Sequence, residues 1–173
     1  MNIASNPWSF TPTDCNTATI VASPGGLTLN VDGSVTLTLS GAFSQADLVA
    51  NNKLTIYQPA NLAYQGFYRV RTVTDSTHYN IIPENFKIPA GTAASGDGTA
   101  AKCQYTNETR IEDLSWQNTS ALGQLLTVVD KNGFPVWFAT SSGPGQQNRG
   151  KVFWVSGLVI IEMDSGILLA TVN

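Results

Sequence analysis

The sequence predicts an all-β protein: a β-sandwich or barrel-like domain with an extended N-terminal arm and an apolar C-terminal hairpin. Three observations carry this. Short runs of Val, Ile, Leu, Thr and aromatic residues recur along the chain, separated by Gly, Asp, Asn and Pro turns. No segment long enough for an ordinary helix shows the 3.6-residue apolar period. The chain closes on two strongly apolar runs, Leu158 to Met163 and Ile167 to Val172, around an Asp164-Ser165-Gly166 spacer. Its 173 residues suffice for one domain or two small ones. The expected division is an arm over 1–16, a β domain over 17–103, and hairpins over 104–173 completing that same domain.

The arm differs from the rest. Pro7 and Pro12 flank Trp8 and Phe10, so it cannot be one regular strand or helix throughout. Two aromatics on an extended arm must dock, either on their own domain or on a neighbouring subunit. Leu27, Leu29 and Val31 then alternate with polar residues, Asp32-Gly33 supplies a two-residue turn, and Val35, Leu37 and Leu39 alternate again. Phe43 to Ala50 reads as a short helical turn, with Ser44 as its cap and Asp47 at the third helical position. Strands follow at Leu54–Tyr57, Gly66–Val73 and Tyr79–Ile82, with a polar turn at Thr74 to Thr77. Ala90 to Ala100 is rich in Gly, Ala, Ser and Thr and reads as a flexible loop.

Cys103 to Leu114 resumes as strand. Gln124 to Val129 and Phe134 to Thr140 flank a four-residue connection, Asp130 to Gly133. Pro135 lies early in the second of these, which favours a sheet edge. Ser141 to Gly150 reads as a second loop, and Lys151 to Val155 leads into the final hairpin. That hairpin needs Gly166 at positive φ. Its strands carry apolar residues on both faces, so it requires cover on both sides, from its own domain or from another subunit.

Charged residues are only 12% of the chain, about half the usual ~25%, and the net charge is -3. A surface built from Thr, Ser, Asn, Gln and Gly suits packing against protein neighbours, because little charge must be desolvated. It suits an extracellular β domain equally well. The nine Lys and Arg form no basic cluster, so nucleic acid is not an expected partner. No stretch approaches a membrane span, and membrane is not an expected partner either. The first residues lack a charged region followed by an apolar one, which predicts synthesis in a cytoplasm. Cys15 and Cys103 read as buried thiols, with a bridge between them as the alternative under oxidation.

Catalytic patterns are weak. The single histidine, His78, sits beside Asp75 and Ser76, but neighbours in one turn do not adopt triad geometry, so His78 reads as a polar turn residue. One His and two distant Cys make no standard zinc site, and the Asp-Gly segments lack calcium-loop spacing. No enzyme activity, metal or cofactor is expected. Four tryptophans, Trp8, Trp116, Trp137 and Trp154, are available for sugar stacking. Trp137 and Trp154 lie in apolar runs and read as core, which leaves Trp116 as the candidate sugar-stacking residue.

From Val35 to Ile82 a pattern runs through Val35-Thr-Leu-Thr-Leu-Ser-Gly41, Asn52-Lys-Leu-Thr-Ile-Tyr57, Gly66-Phe-Tyr-Arg-Val70 and Thr77-His-Tyr-Asn-Ile81. It resembles small β-modules of tailed-bacteriophage virion proteins, over less than a third of the chain. With the Thr, Asn and Gly enrichment, the whole also resembles head decoration, neck or tail proteins. The resemblance implies a non-enzymatic structural subunit of the virion, made in the host cytoplasm, homo-oligomeric and partnered by other virion proteins. It carries over no functional residues, because such proteins work through surfaces. The residues expected at interfaces are Trp8, Phe10, Leu158, Ile160, Ile167 and Leu169. The alternative is a carbohydrate-binding β module of a receptor-binding tail protein.

Overall fold

The structure is a computed structural model that describes residues 6–149 and 153–173. It is all-β, as the sequence predicts. In chain order the first strands are β1 (Trp8–Phe10), β2 (Thr17–Thr19), β3 (Leu27–Leu29), β4 (Val35–Thr38), β5 (Lys53–Tyr57), β6 (Gly66–Val73), β7 (His78–Pro83) and β8 (Thr99–Lys102). They continue with β9 (Tyr105–Gln117), β10 (Leu122–Val129), β11 (Pro135–Ser142), β12 (Gln146–Arg149), β13 (Phe153–Met163) and β14 (Ile167–Val172). The only helical pieces among the described residues are 3-10 turns at Pro12–Asp14 and Leu62–Tyr64.

Two compact units bury separate cores. One comprises 16–103 with 131–133; the other comprises 1–15, 104–130 and 134–173. The expected grouping of 104–173 with 17–103 therefore does not describe the packing. Residues 104–173 have enough apolar strand to enclose a core of their own, with the arm as part of it.

In the first unit the strand order is β2-β8-β5-β6-β7-β4-β3, all antiparallel. Alternation on β4 points Val35 and Leu37 inward, where they meet Leu27, Tyr79 and Ile81 in the core. The β3–β4 connection differs from expectation. Asn30 N donates to Ser34 O at 2.8 Å, so Val31-Asp32-Gly33 is a three-residue loop with Gly33 at φ +80°. Val31, expected to continue the strand, stands fully exposed at its tip. The Asp32 carboxylate decides this by accepting from Ser34 N and Ser34 Oγ.

Two further expectations fail here. Phe43 to Ala50 forms no helical turn. Asn16 holds it instead: its amide donates to Ala46 O and accepts from Gln45 N, while Ser44 Oγ accepts from Thr17 N. Ala90 to Ala100 is not simply a surface loop, since Ser95 bridges Leu27 and the segment leads into β8 between β2 and β5. Its small residues permit close approach: a Cβ on Gly96 would stand 2.3 Å from Val21 O.

The second unit's strand path is β1-β14-β9-β13-β10-β11, with β12 also pairing β9. Its core joins Phe10, Ile111, Leu114, Trp116, Leu158, Ile160 and Leu168. β14 pairs with β9 and β1, while β13 pairs with β9 and β10. The C-terminal strands and their loop exist, with Gly166 at φ +83°, but they do not form a hairpin ladder with each other. The long β9 pairs with both. The segment expected as a second loop, Ser141 to Gly150, instead contributes the end of β11 and all of β12, which pairs with β9 from Gln146↔Gln117 to Arg149↔Leu114. Lys151 and Val152 lie outside the described residues.

Candidate interaction surface

The residues expected at interfaces fall mostly inside. Trp8 is buried, and Phe10, Leu158 and Ile160 have no solvent exposure. All four belong to their own unit's core. The Trp8 ring packs against Tyr105 at 4.4 Å with the planes tilted by 53°, and the Asn6 amide exchanges two hydrogen bonds with Val172, continuing the β1–β14 ladder. The arm therefore docks on its own unit, and these four residues cannot form a free surface. Ile167 and Leu169 are half-buried; on β14 it is Leu168 and Ala170 that face the core.

Trp116 is fully buried, and its indole N–H donates to Ser165 O at 2.8 Å. It cannot stack on a sugar. A signal for this was present in the sequence: Leu114 and Trp116 are two apart on a strand and share one face.

Trp154, expected in the core, is 72% exposed. The cause is a bulge. β13 slips register against β9 between Ser156 and Leu158, with Gly157 at φ +84°. Across the slip, two steps along β13 pass three along β9, and Val155 and Leu158, three residues apart, both enter the core, so Trp154 points out while Leu158 and Ile160 point in. β11 carries a second slip, opposite Val128 and Val129. Past it, Trp137 and Ala139 pack against the core and Phe138 is exposed.

Trp154 is joined on this unit by Leu122, Leu125, Phe134 and Phe138 as exposed large apolar side chains. They follow β11. A cavity of about 260 Å³ at its start is lined by Phe134, Trp154, Asp130 and Ser156 among others. A second, of about 200 Å³, lies along its middle between Leu125, Phe138, Thr127 and Glu162. No charged residue occurs in 114–129 or 132–148.

The polar clusters of the other unit are structural in character. Asp75 accepts from the backbone N–H groups of Thr77 and His78 and from Thr77 Oγ1, and it lies 2.9 Å from His78 Nδ1. These bonds, led by that from the Thr77 backbone, lower its pKa to about 2. Asp32 is likewise lowered to about 2, first by the Ser34 hydroxyl and then by Arg71. Glu84 is bridged by Lys53 and Arg69. Cys15 and Cys103, expected as buried, are half-buried; Cys15 Sγ donates to Ile161 O at 3.3 Å, and Cys103 Sγ lies 3.2 Å from Thr55 Oγ1. Among the described residues no three His, Cys, Asp or Glu side chains gather as a metal-binding group, and no helix is long and apolar enough to cross a membrane.

Compared with known proteins, the chain matches no protein-family model, no curated protein and no solved structure.

Proposed function

We propose that this chain is a non-enzymatic structural subunit of a bacteriophage particle, a capsid decoration or a neck or tail component, acting through protein–protein interfaces in the virion. The observation that carries the reading is the set of exposed apolar side chains on the second unit, Leu122 and Leu125 on β10, Phe134 and Phe138 before and on β11, and Trp154 on β13, on a molecule with half the usual charge. Large apolar residues left in water on a well-packed unit are what a subunit interface needs, and a neutral surround lowers the desolvation cost of covering them. The resemblance of the Val35 to Ile82 pattern to virion β-modules points to the same class. Symmetric assembly would multiply weak contacts of this kind.

The test is mass in solution at micromolar concentration, combined with electron micrographs of the purified protein. Ordered rings, tubes or larger assemblies are expected. A stable monomer of 18.5 kDa overturns the reading.

One observation supports the second reading, a saccharide-binding module. Trp154 and Phe134 expose aromatic faces beside the Asp130 carboxylate and the Ser156 hydroxyl. The stacking residue is then Trp154 in place of Trp116. Binding on a glycan array that Trp154→Ala abolishes would support it, and an array without signal would remove it.

A further inference from the structure

Cys15 immediately precedes the first unit's main segment, 16–103, and Cys103 ends it. The β2–β8 ladder sets the placement of both. Its register pairs Thr17 with Ala101, Ala18 with Ala100 and Thr19 with Thr99. The next rung continues it, since Lys102 N donates to Asn16 O at 2.9 Å. One residue further along the two chains stand Cys15 and Cys103. Cys15 is extended, with φ −79° and ψ 92°, so the backbone keeps the course of the ladder. Each cysteine is one peptide bond from the Asn16–Lys102 rung, so their juxtaposition follows from the first unit's ladder and the covalent chain alone. One residue beyond them, within the second unit, Gln104 Nε2 donates to Asp14 O at 2.5 Å.

We propose that Cys15 and Cys103 are a redox-responsive pair, forming a cross-strand disulfide under oxidising conditions that closes segment 16–103 at its base. The proposal is independent of the structural-subunit reading. Antiparallel rungs alternate between hydrogen-bonded and non-hydrogen-bonded pairs, and the second kind brings Cα atoms to about 4.5 Å. Asn16–Lys102 is a bonded rung, so Cys15–Cys103 is of the second kind. Backbone bonding agrees: Cys103 N donates to Lys53 O on β5 and Cys15 N to Pro12 O, so neither is turned to the opposite cysteine. Disulfides need Cα atoms about 4.4–6.8 Å apart and side chains that converge. A non-hydrogen-bonded rung supplies the spacing and puts both side chains on one face. Both cysteines are thiols in this structure, and both are half-buried, within reach of a small oxidant. Cys15 Sγ donates to Ile161 O, and Cys103 Sγ lies beside Thr55 Oγ1. Rotation about χ1 takes the sulfurs out of these contacts and gives up only weak sulfur hydrogen bonds.

The oxidant is a small disulfide such as oxidised glutathione. The thiolate of one cysteine attacks a glutathione sulfur, and one glutathione leaves as thiolate and takes up the proton. The second cysteine's thiolate then attacks the protein sulfur of the mixed disulfide. The bond between the two cysteines forms, and the second glutathione leaves in the same way. Two protein thiols are oxidised and one glutathione disulfide is reduced to two thiols. A reducing cytoplasm keeps the pair open, and an oxidising exterior closes it. Closure constrains the unfolded chain over a long loop, which stabilises the fold.

Incubation of the full chain with oxidised or reduced glutathione tests this, with thiols counted by alkylation and mass spectrometry. In the oxidised sample both thiols should be lost together, leaving no bound glutathione and one linked peptide pair that holds Cys15 and Cys103. The rate of loss should not depend on protein concentration. The urea midpoint should rise on oxidation and return on reduction. Cys15→Ser and Cys103→Ser should each stop at one glutathione adduct, the mixed disulfide without its partner, and show no such rise. Unchanged circular dichroism verifies that the variants fold, and the linked peptide pair in the wild type decides the matter without them. Two separate adducts, two persisting thiols, a bridge that forms only in urea, or a covalent dimer of two chains would each overturn the proposal, and none of these bears on the structural-subunit reading.

Discussion

Gly166 and Trp116 secure one corner of the second unit. Gly166 sits at φ +83°, and a Cβ there would come within 2.4 Å of Gln117 O and 3.0 Å of the Trp116 indole nitrogen. That nitrogen donates to Ser165 O one residue before, and Ser165 Oγ donates in turn to Gln124. Gly33 has the same backbone conformation at φ +80° but nothing within 4 Å. Gly33→Ala should therefore show the conformational cost alone, about 1 kcal/mol, whereas Gly166→Ala should cost about 3 kcal/mol through added backbone displacement. Urea unfolding of the two variants measures the difference. Asp32 and Asp75 carry the acid sensitivity. Both have pKa values held to about 2 in the folded chain, below the ordinary carboxylate range. Their contribution is thus fully present above about pH 4 and is lost as pH falls towards 2. Asp32→Asn and Asp75→Asn should each lower the melting temperature by a constant amount over pH 6 to 8 and flatten its decline between about pH 4 and 2. Equal slopes in wild type and variants would refute this.

Among the elements, β1 shows how a three-residue strand becomes essential. Phe10 is fully buried and Trp8 lies against Tyr105. Phe10→Ala should cost about 3–5 kcal/mol, the usual range for emptying a buried phenylalanine site. Its signature is a lower urea midpoint in fresh protein, with no specific effect on association beyond that of unfolding. Most strands were legible. β6 spans the expected Gly66–Val73, and β5 and β7 differ from expectation only at their ends. Each has regular apolar spacing bounded by turn residues. The β11 edge was legible too, because Pro135 cannot serve a central ladder. β12 and β8 were not. Gln146 to Arg149 and Thr99 to Lys102 lack bulky apolar side chains, and they become strands because long neighbours, β9 and β5, supply hydrogen-bonding partners. The bulge at Gly157 was the most costly omission. It inverts the facing of Trp154 relative to Leu158, and period-two counting cannot register a slip against the partner strand.

For the whole molecule, composition set the chemistry of its contacts. With 12% charged residues, the surface this chain offers for contact is mainly neutral and apolar. Association through the exposed apolar side chains should accordingly change little between about 0.05 and 0.5 M salt, since screening acts on charges and these side chains carry none. Sedimentation at the two salt concentrations checks this, and a dissociation constant that rises more than tenfold would contradict an apolar interface. The candidate site itself was only partly legible. Apolar content identified β13 and β14 as packing elements, but it could not separate residues that meet their own core from residues that meet solvent. Trp8, Phe10, Leu158 and Ile160 proved to be core, while Leu122, Phe134, Phe138 and Trp154 proved to be surface.

By itself the sequence determined that the chain is all-β, where most of its strands and glycine turns lie, and that its surface is nearly neutral. These follow from local alternation, from turn residues and from composition. Tertiary structure alone decided which strands pair, that β9 pairs with both C-terminal strands, and that two cores form in place of one. It also decided which apolar side chains are left in water. Strand pairing and register depend on contacts between residues far apart in the chain, and a single bulge reverses which face of a strand is buried.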